Sequence, residues 1–184
     1  MIGYEINKAI MCDVIKKSID KLYLIDGFLI KNDVHEQAIS HRLAIYLEEE
    51  IREIVNTPDL SVDCEYDRCF NDEKFLNRYE KSINIKNWIK ILCQQNEIDK
   101  IVRPDIIIHH RGEQCYNLCV VELKKKNCSQ KDMNWVDIKL KALTDEKGGF
   151  RYRYGFAIEI SVDKASITVY RNGSLEATYI ISEK

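Results

Sequence analysis

The chain has 184 residues, of which 45% are hydrophobic and 32% are charged, and its formal net charge is −2. This length and balance predict one folded domain with its own core and argue against a disordered chain. No apolar run reaches the roughly 20 residues of a membrane-spanning helix, and residues 1–5 lack a signal-peptide layout. Seven scattered cysteines favour reduced thiols, so we expect a cytoplasmic protein with no membrane partner.

The first part of the chain is predicted to be mainly helical. Apolar residues near helical spacing predict a helix over residues 4–21. Asp26-Gly27 is then either a hairpin turn or a helix stop before an extended piece. Asp33 is the expected N-cap of a second helix that continues to about Val55. The core-facing stripe of this helix contains Leu43, Leu47, Ile51 and Ile54.

Strands dominate the rest of the chain, although part of residues 71–100 and residues 132–143 are predicted to be helical. Strands are predicted over residues 60–66, 103–109, 116–124, 152–160, 167–171 and 175–181. Asn172-Gly173, between the last two strands, is typical of a type I′ hairpin turn. Helices and strands interleaved in this way predict an α/β fold, a mixed sheet covered by helices. The last hairpin is expected to extend one edge of the sheet.

Two acids lie at the edges of apolar, strand-like runs. Asp105 follows Pro104 and precedes three isoleucines, and Glu122 comes seventeen residues later on the next strand. Burial makes a carboxylate costly unless something binds it. Because side chains alternate along a strand, Glu122 and Lys124 lie on the same face. Two carboxylates can bind a hard cation, and the ammonium group of the lysine then lies beside the water that the cation activates.

Pro104-Asp105, then Glu122-Leu123-Lys124, with a preceding helix that carries Glu36, resemble the motif of the PD-(D/E)xK nuclease superfamily. The resemblance implies a restriction-endonuclease-like core, a mixed sheet with helices on both sides and a metal site where two central strands diverge. It covers roughly residues 33–160. In this single domain, residues 1–32 would be an N-terminal helical extension and residues 161–184 the terminal hairpin.

The resemblance implies a nuclease that depends on magnesium or manganese. Asp105 would bridge the metal ions, and Glu122 and the backbone carbonyl of Leu123 would be further ligands. Lys124 would hold or help deprotonate the attacking water and offset charge on the phosphate. Beside a desolvated cluster its pKa would be lowered. Without a metal, Asp105 would cap a turn or pair with a nearby arginine, and Glu122 would pair with Lys124.

Three further residues are candidates for the same site. Glu36 lies on the core-facing stripe of the second helix, where a carboxylate is unusual. The resemblance makes Glu36 an additional ligand of metal or water, whereas Asp33-x-x-Glu36 also matches a capping box. Glu65 is an accessory candidate that would supply the extra carboxylate or else pair with Arg68. His109 is a second accessory candidate, and a histidine at the rim of a site is more often structural.

The charge distribution suggests where a polyanion could bind. Residues 33–80 contain thirteen acids and five bases, a balance of −8, whereas residues 121–153 contain nine bases and five acids, a balance of +4. A solvated surface explains the same asymmetry without any ligand. The candidates for phosphate contacts are Lys126, Lys131, Arg151 and Arg153.

The favoured function is therefore a metal-dependent nuclease that acts on nucleic acid, with DNA expected before RNA, and a homodimer is one expectation from the resemblance. The first alternative is a module with the same fold and an unused site, which binds nucleic acid or serves as a regulatory subunit. A second alternative is a protein-interaction scaffold, for which no salt-dependent binding of DNA or RNA is expected.

Overall fold

The computed structural model describes residues 6–55, 60–65, 68–69, 72–73, 103–111, 117–148 and 150–182. Within these residues it contains three helices and eight strands. The helices are α1 (Lys8–Lys31), α2 (Glu36–Ile54) and α3 (Gln130–Thr144). The strands are β1 (Leu60–Cys64), β2 (Arg68–Cys69), β3 (Asp72–Glu73), β4 (Ile106–His110), β5 (Cys119–Lys125), β6 (Tyr154–Ile160), β7 (Lys164–Arg171) and β8 (Ser174–Ser182). In the described residues, no helix combines the length and the apolar character needed to cross a membrane.

Helix α1 is longer than predicted because it continues through Asp26-Gly27. Asn7 caps its start, and the backbone departs from helical angles at Asp26 without ending the helix. Neither the hairpin turn nor the helix stop is therefore correct. Arg42 of α2 donates to the Asp26 carboxylate at 2.6 Å, and the Tyr46 hydroxyl of α2 also donates to it. The kink is thus held by contacts with another helix, which local sequence patterns do not encode.

Helix α2 begins at Glu36, and its N-cap is His35, so the predicted cap at Asp33 and the predicted capping box are wrong. Asp33 has a left-handed backbone, with φ 52°. Its carboxylate accepts a hydrogen bond from Lys125 Nζ at 2.7 Å. The cap is instead His35, whose Nδ1 accepts from the Gln37 N–H at 3.3 Å.

Six strands form one mixed sheet in the order β1-β4-β5-β6-β7-β8. The β5–β6 pair is parallel and the other four pairs are antiparallel. Strands β2 and β3 form a separate pair. The predicted α/β class, with a mixed sheet flanked by helices, is confirmed. The predicted helical part of residues 71–100 lies outside the described residues, apart from β3.

The sheet packs helices on both faces. Cys119, Val121 and Leu123 of β5 join the core cluster that contains buried residues of α1 and α2. Val120 of the same strand joins a second cluster with α3. Burying both faces explains why the middle of β5 is almost entirely apolar. Glu122, the one acid of this strand, is consequently buried.

The terminal hairpin lies where the sequence predicted it. Strands β7 and β8 pair antiparallel, and β8 is the last strand of the sheet order. Asn172 and Gly173 both have positive φ angles, 53° and 72°. A type I′ turn requires positive φ at both central residues. The hairpin and its turn are confirmed.

Candidate active site

Strands β4 and β5 separate next to Asp105. Their pairing ends at Ile106 and Val121, whereas β5 continues beside β6 as far as Lys125. Beyond the last β4 pair, the N–H of Leu123 donates to Asp105 Oδ2 at 2.7 Å. Pro104 immediately precedes this aspartate and contributes no N–H to the ladder. The carboxylate thus lies where the two central strands diverge.

The ammonium group of Lys124 lies among three oxygen atoms at this point. Its Nζ is 3.0 Å from Glu36 Oε2, 3.0 Å from the Leu123 carbonyl oxygen and 4.0 Å from Asp105 Oδ2. Helix α2 contributes Glu36 from its first residue, and the other oxygen of this carboxylate accepts from the Lys125 N–H at 3.0 Å. Three of the four ligands named by the sequence resemblance, all except Glu122, therefore surround one positive charge.

Glu122 faces a different lysine. Its Oε2 accepts from Lys139 Nζ of α3 at 2.6 Å, with 1% of the Glu122 side chain and 11% of the Lys139 side chain exposed. The predicted pairing of Glu122 with Lys124 alone is therefore wrong. The second oxygen, Oε1, is buried and has no hydrogen-bond partner in the described part of the chain. A buried carboxylate oxygen without a partner is costly and indicates a missing one.

Burial changes the ionisation of both acids on the diverging strands. Burial raises the pKa of Asp105, although Lys124 and the Leu123 N–H oppose the change. Burial also raises the pKa of Glu122 to about 7; the Lys139 ammonium opposes this change and the Asp105 carboxylate adds to it. Such shifts are frequent where functional groups cluster, although structural ion pairs cause them too.

The pKa of Lys124 moves in the direction opposite to the prediction. Burial acts to lower it, but the carboxylates of Asp105 and Glu36 outweigh burial and raise it above its ordinary value. The expected lowering is therefore wrong, because the lysine lies between acids and not beside other cations. Lys124 is an ammonium group at neutral pH, which suits it to donate hydrogen bonds and not to remove a proton.

The two accessory candidates occupy different positions. Glu65 adjoins the site, since its N–H donates to the Asp105 carbonyl at 3.1 Å and its Oε1 accepts from Gln37 of α2 at 2.6 Å. His109 lies at the other end of β4 from Asp105. There its Nε2 is 2.9 Å from Asp63 Oδ2 of β1, and the imidazole is almost completely buried. His109 therefore links two strands and does not reach the cluster.

The predicted phosphate contacts fall into two groups. Lys126 and Lys131 are exposed, one just after β5 and the other in the first turn of α3, at the Glu122 end of the sheet. Arg151 and Arg153 precede β6, whose Tyr154 pairs with Cys119 at the start of β5. Strands rise about 3.3 Å per residue, so this end is roughly 10 Å along the strand from Glu122 and roughly 20 Å from Lys125. The structure does not bring the arginines to the acids.

A groove of about 580 Å³ adjoins the cluster. Its lining includes Glu36 of α2, Lys125 at the end of β5, Lys126 just after it, and residues 160–163 at the end of β6 and just after it. The groove gives solvent, and anything dissolved in it, access to the Glu36 side of the site. Glu122, buried under α3, is not among its lining residues.

Lys139 was not assigned a role from the sequence, although a signal was present. It lies three residues after Val136 and four before Leu143, both of which are buried. A lysine at that spacing falls on the core-facing stripe of a helix, where an ammonium group needs a buried partner. Like Glu36, Lys139 is therefore a charged residue on the core-facing stripe of a helix, and its position could have been recognised from the sequence.

The donor atoms suit a hard cation, although they are not arranged around one. Carboxylate and carbonyl oxygens are the ligands that Mg²⁺ and Mn²⁺ take in proteins. In the residues that the structure describes, no three side chains of the His, Cys, Asp and Glu types are grouped as a ready metal site. Each of the three acids instead contacts a lysine or a backbone N–H. The unpartnered Glu122 Oε1 is the strongest sign that an additional ligand fits.

Comparisons with known proteins leave the family open. No protein-family model matches the chain, and no curated protein or solved structure that was compared with it gives a match.

Proposed function

We propose that this chain is a metal-dependent nuclease that hydrolyses phosphodiester bonds through a PD-(D/E)xK-type site on a restriction-endonuclease-like fold. The observation that carries the proposal is the meeting of Asp105, Glu36, Lys124 and the Leu123 carbonyl at the divergence of β4 and β5. The mixed sheet with helices on both faces supports the same conclusion.

Asp105, Glu122, Glu36 and the Leu123 carbonyl would hold the metal. When bound, Mg²⁺ or Mn²⁺ supplies a Lewis acid that lowers the pKa of water and offsets charge on a phosphate oxygen. The acids are buried or half-buried, so their electrostatic effect on a cation is larger than it would be in water. This arrangement gives oxygen ligands from one helix and two strands.

Lys124 would act as a cationic hydrogen-bond donor. Because its pKa is raised, the ammonium group keeps its proton at neutral pH and donates to oxygen atoms. Towards a phosphodiester, such a donor orients the attacking water and stabilises negative charge that builds on the phosphate. We therefore assign Lys124 to holding the attacking water and to stabilising charge on the phosphate.

The substrate is proposed to be nucleic acid, and DNA before RNA. The exposed Lys126 and Lys131 lie at the same end of the sheet as the acids, where they would contact phosphates beside the cleaved bond. Arg151 and Arg153 would contact the same molecule only if it extended along the sheet. A homodimer remains a further expectation from the resemblance.

A cleavage panel tests the proposal. Wild type is incubated with single-stranded, duplex and branched DNA and RNA, with Mg²⁺, with Mn²⁺ and with a chelator. We expect metal-dependent cleavage of at least one substrate, and a loss of about 100-fold or more in Lys124→Ala and in Asp105→Ala, because each removes a preorganised charge. Lys164→Ala, a change at an exposed lysine of β7, is the control and should cleave like wild type. Equal behaviour of wild type and Lys124→Ala on every substrate contradicts the proposal.

The second candidate function is a nucleic-acid-binding module without turnover. One observation favours it: each acid of the described cluster is already engaged by a lysine or an N–H, with no ready group of three acids. This alternative predicts salt-dependent binding of nucleic acid with no cleavage under any metal. It also predicts that Asp105→Ala leaves that binding unchanged.

A further inference from the structure

Lys139 is a buried lysine outside the sequence motif. It lies in the middle of α3 among the side chains of the second core cluster, and 9% of the residue is exposed. Burying an ammonium group is costly unless a carboxylate and hydrogen bonds compensate for it. Glu122 provides that partner at 2.6 Å.

The contact engages only one oxygen of Glu122. Lys139 holds Oε2, while Oε1 is buried and without a partner in the described residues. An unpaired buried acceptor is unfavourable, so this salt bridge leaves the cost of burying Oε1 uncompensated. The orientation leaves one oxygen of a rigidly held carboxylate available for another ligand.

The charges around β5 are also unbalanced. Three carboxylates, Glu36, Asp105 and Glu122, are accompanied by two ammonium groups, Lys124 and Lys139. Lys124 bonds to α2 on one side of the strand, and Lys139 reaches the strand from α3 on the other. The cluster therefore contains one more acidic side chain than ammonium groups, with Lys139 at its buried end.

We propose that Lys139 is a positioning residue for the metal site: it fixes Oε2 of Glu122 and thereby presents Oε1 to a divalent cation. This inference rests on the proposed function, because it assumes that Glu122 is a metal ligand. Groups that hold a ligand in place without touching the metal commonly contribute about 10- to 100-fold to metal affinity. Lys139 itself contacts neither metal nor substrate.

Binding of Mn²⁺, measured by electron paramagnetic resonance on the purified chain without nucleic acid, tests the inference. Lys139→Met removes the donor, Lys139→Gln keeps a neutral donor, and Lys139→Arg keeps the charge. We expect Lys139→Met to raise the Kd for Mn²⁺ by about 10- to 100-fold. Lys139→Gln should have an intermediate effect, and Lys139→Arg should restore most of the affinity.

Lys141→Met is the matched control. Lys141 lies two residues away on α3 and pairs with Asp137 at 2.8 Å, so the change removes a lysine that faces no candidate ligand. Mn²⁺ affinity should not change in this variant. Far-UV circular dichroism checks that each variant is folded. If Lys139→Met is unfolded, the Kd of Lys139→Gln for Mn²⁺ is used to test the inference.

The outcomes separate the inference from the proposed function. If wild type binds no Mn²⁺, the proposed metal site fails and the inference fails with it. If wild type binds Mn²⁺ and a folded Lys139→Met or Lys139→Gln binds it equally well or more tightly, the metal site stands and the positioning role of Lys139 is wrong. Weaker binding that Lys139→Arg reverses supports the inference.

Discussion

Strand β5 contributes one member to each of two carboxylate–ammonium pairs, which have the same chemistry but different exposure to solvent. Lys124 and Glu36 are 3.0 Å apart with 22% and 31% of their side chains exposed, whereas Lys139 and Glu122 are 2.6 Å apart with 11% and 1% exposed. Water reaches the first pair and can solvate either charge when its partner is removed. Water does not reach the second pair in this way, so removing one of its members leaves the other charge buried and unpaired.

The difference indicates a division of roles at one site. The exposed pair can exchange partners when a substrate enters, because solvent compensates for the lost contact. The buried pair keeps a ligand in a fixed orientation because loss of its contact is expensive. Three predictions test this comparison, beginning with the largest expected effect.

Breaking the buried pair should destabilise the fold strongly. Glu122→Leu leaves the Lys139 ammonium buried without a partner, and removing one member of a buried pair typically costs about 3–5 kcal/mol. We expect the free energy of unfolding, measured by urea denaturation with a chelator present, to fall by that amount.

The double variant Glu122→Leu with Lys139→Met is the matched control for that experiment. Replacing both members by apolar side chains removes the unpaired charge, and such replacements are often neutral or stabilising. Most of the lost stability should return. A double variant that is as unstable as Glu122→Leu would show that the cost arises from packing and not from the charge.

The raised pKa of Glu122 predicts a pH dependence with a definite sign. Between its ordinary value of 4.5 and about 7, the folded protein keeps a proton that the unfolded chain has released. The contribution of Glu122 to the free energy of unfolding therefore falls as the pH rises through this window. Glu122→Gln lacks this titration. As the pH rises from 4.5 to about 7, the free energy of unfolding of the variant should therefore increase relative to that of wild type, by at most about 3 kcal/mol.

Urea denaturation of both proteins at a series of pH values measures this difference. Glu146→Gln, at an exposed carboxylate, controls for the loss of one acidic side chain. A stability difference between Glu122→Gln and wild type that stays constant from pH 4.5 to 7 would contradict the predicted shift.

Breaking the Lys124–Glu36 pair, the more exposed of the two, should have the smallest effect on stability. Lys124→Met removes the ammonium group but leaves Glu36 partly in water, and exposed pairs typically contribute less than about 1 kcal/mol. We expect urea denaturation to show a change within that range, while cleavage is lost. A loss of several kcal/mol would mean that the two pairs contribute similarly to the free energy of unfolding.

Much of the fold could be predicted because local patterns and final environments agree. Alternating and apolar runs located the strands at Ile106–His110 and Cys119–Lys125, and Asn172-Gly173 identified the terminal hairpin. The errors occurred where another element overrides the local signal. At Asp26 in α1, Arg42 of α2 binds the carboxylate at the kink, and at the start of α2 the Asp33 carboxylate binds Lys125 of β5 while His35 caps the helix.

At the candidate site, Asp105, Glu122 and Lys124 could be identified from the sequence, because each is a charged residue within or beside an apolar run. Their partners could not be identified in this way, because they come from helices that are distant along the chain. In the folded protein Lys124 contacts Glu36 and the Leu123 carbonyl, and Glu122 contacts Lys139. Burial, and with it the ionisation of each acid, depends on helices that pack from both faces of the sheet, and no spacing along the chain specifies that environment.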